Sequence, residues 1–296
     1  MNKITCFGEV LWDIFPSYKK AGGASLNVAL RLHSFKNEVI LISSLGNDTD
    51  GKDLRDYIKS KRLSLDCIQH NSVHNTSTVE VVLDDNGLAA YTIKKPCAWD
   101  SIELTNELLY LVKNSKAFLF GSLVARSKTS RNTLIELLSV SRFSVFDLNL
   151  RPPHYNLKTI KTLMSAADFI KFNDDELIEI STSFGLQEKT IEQAILFIAW
   201  RTNTKSICVT LGSKGAIFYF DKRFFYNRGY SVSVVDTVGA GDSFLATLID
   251  ALLKGCEPQD ALDRACAVGA LVAKNEGANP KIYNSDIKNI RLKSNF

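Results

Sequence analysis

The sequence predicts an α/β protein whose central, mostly parallel sheet is flanked by helices. Short apolar runs rich in β-branched and aromatic residues alternate along the chain with segments of helical periodicity. Most of these runs are apolar on both faces, which is typical of parallel strands covered by helices on either side. One pair of strand-like arms, at residues 76–93, interrupts the alternation and predicts an inserted hairpin.

The expected strands are, in chain order, KITCFGEV, EVILISSLG, KAFLFGSL, FSVFDLNL, DFIKFN and SICVTLG. Helical periodicity marks SLNVALRLHSF, KTSRNTLIELLSV and IEQAILFIAW. Farther along, alternation in SVSVV predicts a strand that leads into a glycine-rich turn, and an apolar stripe predicts a helix after that turn. No internal repeat, low-complexity tract or proline-rich linker divides the sequence, so we expect a single domain spanning residues 1–296.

The inserted hairpin is expected to turn at Asp84-Asp85-Asn86-Gly87, because Asn-Gly between alternating arms is a strong signal for a two-residue turn. A hairpin inserted into an α/β domain can serve as a lid or as a dimerisation flap. An edge hairpin without any role remains an open alternative.

Composition excludes several classes of function. The net charge of +4 comes from 36 basic and 32 acidic residues without a basic block, so nucleic-acid binding is not expected. No window approaches the 18 or so apolar residues of a membrane span, and the beginning lacks the apolar core of a signal peptide. The six cysteines include no C-x-x-C pair and predict reduced thiols in a cytoplasmic protein.

The stretch LISSLGNDTDGKDLRDY imitates a P-loop, since it reads G-x-x-x-x-G-K from Gly46 to Lys52. Asp53 stands where a P-loop needs Ser or Thr to hold Mg²⁺, and Asp48 and Asp50 would repel the phosphate oxygens. We therefore reject the P-loop and expect Lys52 to be a solvated residue at the start of a helix.

A second glycine-rich turn is a better candidate for binding phosphate. Gly239, Ala240 and Gly241 precede a helix and leave backbone N–H groups free at its positive end. Asp242 follows in the first turn, where a general base would take the proton from a hydroxyl that attacks the phosphate. An ordinary N-cap or first-turn acid is the alternative for Asp242. Phe244 replaces the third glycine of a dinucleotide G-x-G-x-x-G, which disfavours a Rossmann site.

Several motifs together resemble the ribokinase, or pfkB-type, carbohydrate kinase family. DTVGAGDSF is similar to the second signature of the family, and GEVLWDIFP with GGASLNVALRL resembles the sugar site of its fructokinases. GNDTDG, FDLNLRPPHY, KFNDDE and TLGSKGA resemble further family motifs, from about Gly8 to Gly277. The resemblance implies a ribokinase-like fold, with a small β-lid at about residues 9–20 and 72–97.

The resemblance also implies a role for individual residues. It makes Asp242 the catalytic base and the three residues before it the anion hole for the transferred phosphoryl group. The residues that it places around the sugar are Asp13, Gly22, Gly23, Asn27, Arg151 and the lid lysine Lys94. The neighbouring Lys95 is a further candidate for contact with the sugar. Without the resemblance, Asp13 would be a turn residue, Asn27 an exposed helical polar residue and Arg151 the ion-pair partner of Asp147. Ser25 departs from the proline usual in fructokinases, with little expected consequence.

The remaining implied residues concern metal and nucleotide. Asn173 and Glu176 form an N-x-x-E motif that would hold hydrated Mg²⁺, although a plain capping box explains the same spacing. Asp236 would help to hold a monovalent cation, K⁺. Nucleotide contacts are implied for Thr210, Gly212 and Gly215 in TLGSKGA, for which a tight β-turn is the alternative. Asn275 and Gly277 are implied to lie near the adenine.

The resemblance therefore predicts an ATP-dependent kinase that phosphorylates fructose at its primary 6-hydroxyl. Ribose, 2-keto-3-deoxygluconate or a nucleoside are the alternative substrates within the family. A catalytically silent binding module and a nicotinamide dehydrogenase are the alternatives from other classes. A homodimer formed through the lid is also expected.

Overall fold

In a computed structural model of the chain, which describes residues 1–83, 89–187 and 190–293, the strands and helices alternate as predicted. The strands in chain order are β1 (Lys3–Phe7), β2 (Leu11–Ile14), β3 (Lys19–Gly22), β4 (Glu38–Gly46), β5 (Ile68–Asn71), β6 (Ser77–Leu83), β7 (Ala89–Ile93), β8 (Ala117–Gly121), β9 (Ser144–Asp147), β10 (Phe169–Asn173), β11 (Ser206–Thr210), β12 (Ala216–Phe220) and β13 (Arg223–Asn227).

The central sheet has the strand order β13-β12-β11-β10-β9-β8-β1-β4-β5. From β5 to β11 all neighbouring strands pair in parallel, while β12 and β13 add an antiparallel edge. The predicted α/β class with a mostly parallel sheet is thus confirmed. The carboxyl ends of the parallel strands meet at one edge of the sheet, which is where ligands bind in open α/β folds.

Helices cover both faces of this sheet. The helices are α1 (Ala24–Ser34), α2 (Thr49–Ser60), α3 (Asn106–Lys113), α4 (Lys128–Val140), α5 (Leu157–Ser165), α6 (Asp174–Ser183), α7 (Ile191–Thr202), α8 (Ala240–Leu253), α9 (Pro258–Ala273) and α10 (Asn284–Lys293). Buried residues of α1, α2, α8 and α9 pack on one face and those of α3 to α7 on the other. Strand residues alternate between the two clusters; for example, Val145 and Phe146 on β9 face opposite sides. No helix in the described ranges is long and apolar enough to cross a membrane.

A second, small sheet lies over the carboxyl edge of the first. Its strand order is β3-β2-β6-β7, with β2 antiparallel to β3, β6 antiparallel to β7, and β2 parallel to β6. This sheet, which we call the lid, joins the two segments expected at about residues 9–20 and 72–97. The arms of the predicted hairpin pair as expected, whereas its turn at Asp84 to Gly87 lies outside the described residues.

One predicted strand is wrong. Residues 231–235, SVSVV, form neither a strand nor a helix, and Val234 and Val235 are exposed. The alternating residues have no neighbouring strand with which to pair, because β13 is already the edge strand of the central sheet. After β13 the chain leaves the sheet to reach the start of α8. Val235 instead donates its amide to the carbonyl oxygen of Ala273, at 2.8 Å, at the end of α9.

Candidate active site

A cavity of about 1150 Å³ lies between the lid, the carboxyl ends of the central strands and the start of α8. Many residues predicted to form a site line it, although they are far apart in the sequence. They are Asp13, Gly23, Asn27, Arg151, Asn173, Glu176, Thr210, Asp236, Gly239, Gly241, Asp242 and Gly277. The other predicted residues do not line it; these are Gly22, Lys94, Ala240, Gly212, Gly215 and Asn275.

The start of α8 forms the floor of the cavity at the predicted anion hole. Gly239 caps the helix with a left-handed φ of 74°, and a Cβ there would overlap Ala278. The amide of Ala240 donates to the carbonyl oxygen of Thr237 at 3.2 Å and is therefore engaged, contrary to the expectation that it is free. Gly241 lines the cavity, and within the described part of the chain its amide has no acceptor.

Asp242 does not cap its own helix, whose N-cap is Gly239, but it lies in the first turn, so of the alternatives an ordinary first-turn acid stays open. One of its carboxylate oxygens, Oδ2, accepts a hydrogen bond from Asn27 Nδ2 on α1 at 2.8 Å. Asn27 Oδ1 in turn accepts from Asn279 Nδ2 at 3.0 Å, so Asn27 is fixed from both sides rather than exposed. Burial, reinforced by the charge of Asp147, raises the pKa of Asp242 to about 6, while Asn27, Lys171 and Arg151 oppose the rise.

Lys171 is a functional candidate that the sequence analysis missed. It lies on β10, is 6% exposed, and its Nζ forms an ion pair with Asp147 Oδ1 at 2.8 Å. A Cβ built on Gly241 would lie 3.6 Å from that Nζ, so the ammonium group is beside the anion hole. Burial lowers the pKa of Lys171, but the charges of Asp147, Glu176 and Asp242 outweigh it and keep the pKa above its usual value.

The sequence did contain a signal for Lys171. A lysine in the middle of the apolar run DFIKFN would be buried if that run is a covered strand, and a buried charge requires a partner. Glu9 carries the same signal, since it lies two residues after the end of the apolar strand β1 and is 3% exposed. Its Oε1 accepts from the amide of Ala24 at the start of α1, and burial raises the pKa of Glu9 to about 7.

On the lid side, Asp13 occupies the position that the resemblance assigns to a sugar-binding acid. A Cβ at Gly22 would overlap the Asp13 carboxylate, so Gly22 serves the cavity indirectly by leaving room for that group. Gly23 has a φ of 104° and a Cβ there would overlap the carbonyl of Glu9. Burial raises the pKa of Asp13 to about 6, opposed by the charges of Arg151 and Lys20.

Arg151 lines the cavity together with Glu9, Asp13 and Asp242, and its charge lowers the pKa of all three carboxyl groups. The alternative of an Asp147–Arg151 ion pair is wrong, because β9 ends at Asp147 and that residue pairs with Lys171.

Two lid lysines do not line the cavity. Lys94 Nζ instead pairs with Glu80 Oε1 on the neighbouring lid strand, at 2.8 Å. Lys95 Nζ points to the carbonyl oxygen of Arg126 at 3.4 Å. These contacts do not support a role of either lysine in sugar binding, which stays a prediction.

Asn173 and Glu176 form the capping box of α6. Asn173 Oδ1 accepts from the amide of Glu176 at 2.7 Å, and Glu176 Oε2 accepts from the amide of Asn173 at 2.9 Å. Glu176 Oε1 accepts from the amide of Leu150 at 2.8 Å. Each carboxylate oxygen has a second lone pair, and both residues line the cavity, so they fit a Mg²⁺ ion held through water. Among the described residues no cluster of three or more His, Cys, Asp or Glu is arranged to hold a metal ion directly.

Of the predicted nucleotide residues only Thr210 and Gly277 line the cavity, at the end opposite the lid. Thr210 lines the cavity, and residues 212–214 form a short 3-10 turn. Gly212 has a φ of 58° and open space at its Cβ position, whereas a Cβ at Gly215 would overlap the backbone of Asn227. Asn275 is exposed and donates to the carbonyl oxygen of Leu271. The alternative of a tight turn therefore explains Gly215, because only glycine fits beside the backbone of Asn227.

Asp236 connects two segments of that end. Its Oδ1 accepts from the amide of Val238 and its Oδ2 from the amide of Gly277, both at 3.0 Å. A carboxylate offers about four lone-pair sites, so two remain for a cation. Asp236 thus fits the predicted part in a K⁺ site.

In the loop that resembles a P-loop, at Gly46 to Lys52, the side chain of Asp48 accepts the backbone hydrogen bonds. Asp48 Oδ1 accepts from the amide of Gly51 and Asp48 Oδ2 from the amide of Thr76, each at 2.7 Å. Asp48 is therefore the N-cap of α2, and the side chain of Lys52 is exposed, as expected.

Comparison with known proteins identifies the family to which the chain belongs. The chain is 28% identical to fructokinase-2 of Solanum habrochaites over 308 residues, which cover 94% of this chain and 92% of that protein. A fructokinase double mutant from Vibrio cholerae O395, with fructose, ADP and potassium ion bound, superposes with a TM-score of 0.84 at 23% identity and 98% coverage of both chains. A 2-dehydro-3-deoxygluconokinase from Thermotoga maritima reaches a TM-score of 0.85 at 18% identity, again with 98% of both chains covered. The model of the pfkB family carbohydrate kinases matches residues 3–284, so the chain belongs to the pfkB family of carbohydrate kinases.

Proposed function

We propose that this carbohydrate kinase transfers the γ-phosphoryl group of ATP to the primary hydroxyl of D-fructose and forms fructose 6-phosphate. One observation carries the proposal. Asp242, a carboxylate fixed by Asn27 at 2.8 Å, lies at the start of α8 beside the unengaged amide of Gly241 and on the floor of the lidded cavity. A proton acceptor next to an anion hole is the arrangement that phosphoryl transfer to a hydroxyl requires.

In the proposed reaction Asp242 accepts the proton of the attacking 6-hydroxyl. The oxygen forms a bond to the γ-phosphorus as the bond from that phosphorus to the β-phosphate oxygen breaks, and ADP leaves with the bonding electrons. The proton stays on Asp242 until it passes to solvent. Negative charge on the transferred group is stabilised by the amides at the start of α8 and by the ammonium group of Lys171.

Two cations complete the proposal. Bound Mg²⁺ would neutralise charge on the phosphates, and Asn173 and Glu176 are the residues that would hold it through water. Asp236 would contribute to a K⁺ site. The potassium-bound fructokinase from Vibrio cholerae O395 supports this choice of monovalent ion.

The choice of fructose rests on the lid side of the cavity and on the relatives. Asp13, Asn27 and Arg151 offer acceptors and donors to several hydroxyl groups. The relative from Solanum habrochaites and the superposed protein from Vibrio cholerae O395 are both fructokinases. 2-Keto-3-deoxygluconate is the second candidate, because a kinase for that sugar acid superposes equally well and Arg151 could bind a carboxylate.

A substrate panel tests the proposal. Fructose, ribose, 2-keto-3-deoxygluconate and adenosine are compared by coupled detection of ADP, and phosphorus NMR locates the phosphate on the product. We expect the highest kcat/KM for fructose, with the phosphate on the 6-hydroxyl, since a pocket built for one set of hydroxyls rejects sugars that leave its polar groups unpaired. A tenfold preference for any of the other three would contradict the substrate while leaving the kinase intact.

We also propose that the protein forms a homodimer through the lid. Sedimentation of the whole chain and of a variant lacking residues 77–93 is the corresponding test. A monomer at all concentrations would contradict it.

A further inference from the structure

Two consecutive lysines of the lid strand β3 point in opposite directions, as neighbours on a strand do. Lys19 Nζ contacts Asp50 Oδ1 at 2.9 Å and Asp53 Oδ2 at 2.6 Å on α2. Lys20 Nζ contacts Glu276 Oε1 at 2.8 Å, in the loop after α9. The same strand is therefore tied to two different parts of the molecule.

The contacts of Lys19 stay on the lid side of the cavity. The lid already meets α2 there, because the indole N–H of Trp12 on β2 donates to the carbonyl oxygen of Asp50 at 3.0 Å. The ammonium group of Lys19 also lies 4.6 Å from the centre of the Trp12 ring. Lys19 thus strengthens an existing contact and does not cross the cavity.

The contacts of Lys20 cross the mouth of the cavity to the phosphate side. Besides Glu276, its Nζ lies 4.0 Å from Asp236 Oδ2, and Lys20, Asp236 and Glu276 all line the cavity. Asp236 is bonded to the amides of Val238 and Gly277, which flank the anion hole. Lys20 therefore contacts the segments that carry the start of α8.

Lys20 also adjoins the sugar side. On the paired strands of the lid, Lys20 stands directly opposite Asp13, the predicted sugar-binding acid. Through this register one side chain links the strand that would bind sugar to the loops that would bind nucleotide.

We propose that Lys20 is a positioning residue that couples closure of the lid over the sugar to binding of the nucleotide, through its ion pair with Glu276. This inference rests on the proposed function. A lid held closed by sugar would present Lys20 to Glu276 and so favour the closed arrangement of the nucleotide side. By thermodynamic linkage the nucleotide would favour sugar binding by the same factor.

Calorimetry of the whole chain tests the coupling. The dissociation constant of ADP is measured with and without saturating fructose, or with the sugar that the substrate panel identifies. We expect fructose to tighten ADP binding in the wild type. In Lys20→Met and in Glu276→Gln that gain should shrink by about two- to fivefold, the range measured for exposed ion pairs, and the double variant should lose no more than either single one.

Two further variants separate the coupling from a general effect on the lid. Lys19→Met removes the neighbouring charge on the same strand and should leave the gain from fructose unchanged. Lys20→Arg keeps the positive charge and should retain most of the gain, because a guanidinium group can still pair with Glu276. Thermal melting of each variant confirms that it is folded.

The outcomes distinguish this inference from the function on which it rests. If the wild type phosphorylates no sugar of the panel, the proposed function fails. If it phosphorylates a sugar and Lys20→Met keeps the full gain, or Lys19→Met loses as much, the coupling role of Lys20 is wrong and the kinase stands.

Discussion

The two ends of the cavity differ in how they are built. The phosphoryl-transfer end consists of side chains that hold one another, with Asp242 bonded to Asn27 and Lys171 bonded to Asp147. The predicted nucleotide end consists largely of turns, and two of its residues lie beside the cavity, where Gly212 has open space at its Cβ position and Asn275 is exposed. The comparison indicates that buried charges preorganise the predicted phosphoryl-transfer end, whereas the predicted nucleotide residues lie largely on turns. Substitutions should therefore have large effects at the first end and small ones at the second.

The largest effect is expected for Asp242→Asn. The amide keeps the shape and the contact with Asn27 but cannot accept the proton, so turnover should fall by roughly 10²–10⁴. The affinities for ATP and sugar should change little, because the anion hole stays intact. Steady-state kinetics with fructose measures the fall, and a variant that keeps more than a tenth of the turnover would show that the base is another residue.

Lys171→Met should come next, with turnover lowered by about 10²-fold, the usual effect of removing one charge-stabilising donor. The variant also leaves Asp147 buried without its partner, which costs about 3–5 kcal/mol of folding free energy. The double variant Lys171→Met with Asp147→Asn removes both charges and serves as the control for stability. If the double variant is as active as the wild type, Lys171 has a structural role and no role in catalysis.

The sequence predicts local elements better than it predicts contacts between distant residues, and the reason is physical. Strands and helices followed from periodicity, and short motifs located Asp242 and the start of α8. The contact between Asn27 and Asp242 joins residues 215 positions apart, so only the fold brings them together. Lys171 was missed although a charge inside an apolar run signals a buried partner. The strand expected at residues 231–235 failed because alternation cannot tell whether a neighbouring strand is available to pair with it.

The pH dependence follows from the raised pKa of Asp242. The base must be ionised, so kcat/KM should fall about tenfold per pH unit below a pKa of about 6. Because the folded-state pKa is raised, protonation stabilises the fold, and that contribution is lost as pH rises through about 6. Asp242→Asn should therefore melt at a higher temperature than the wild type at pH 8 and at a similar one at pH 4. A flat activity profile between pH 5 and 8, with the fold intact, would contradict the assignment.

At the nucleotide end, Gly212→Ala and Gly215→Ala form a matched pair. Both glycines have positive φ, 58° and 91°, but only Gly215 has neighbouring backbone where the methyl group would lie. Gly212→Ala should cost about 1–2 kcal/mol for the left-handed conformation, with a small rise in the KM for ATP. Gly215→Ala should lower the melting temperature more. Equal melting temperatures would show that Gly215 is not required for packing.

The smallest effect is expected for Lys52→Ala, which tests the loop that imitates a P-loop. A P-loop lysine cradles the β- and γ-phosphates, and its loss would be severe. Here Asp48 fills the loop by accepting the amides of Gly51 and Thr76, and the side chain of Lys52 is exposed at the first turn of α2. Turnover and the KM for ATP should therefore stay within about twofold of the wild type, as for most surface substitutions. Asp48→Ala is the contrasting variant, since it removes the N-cap of α2 and should lower stability by about 1 kcal/mol or more. A large rise in the KM for ATP in Lys52→Ala alone would move the phosphate site to this loop and overturn the contrast between the two ends.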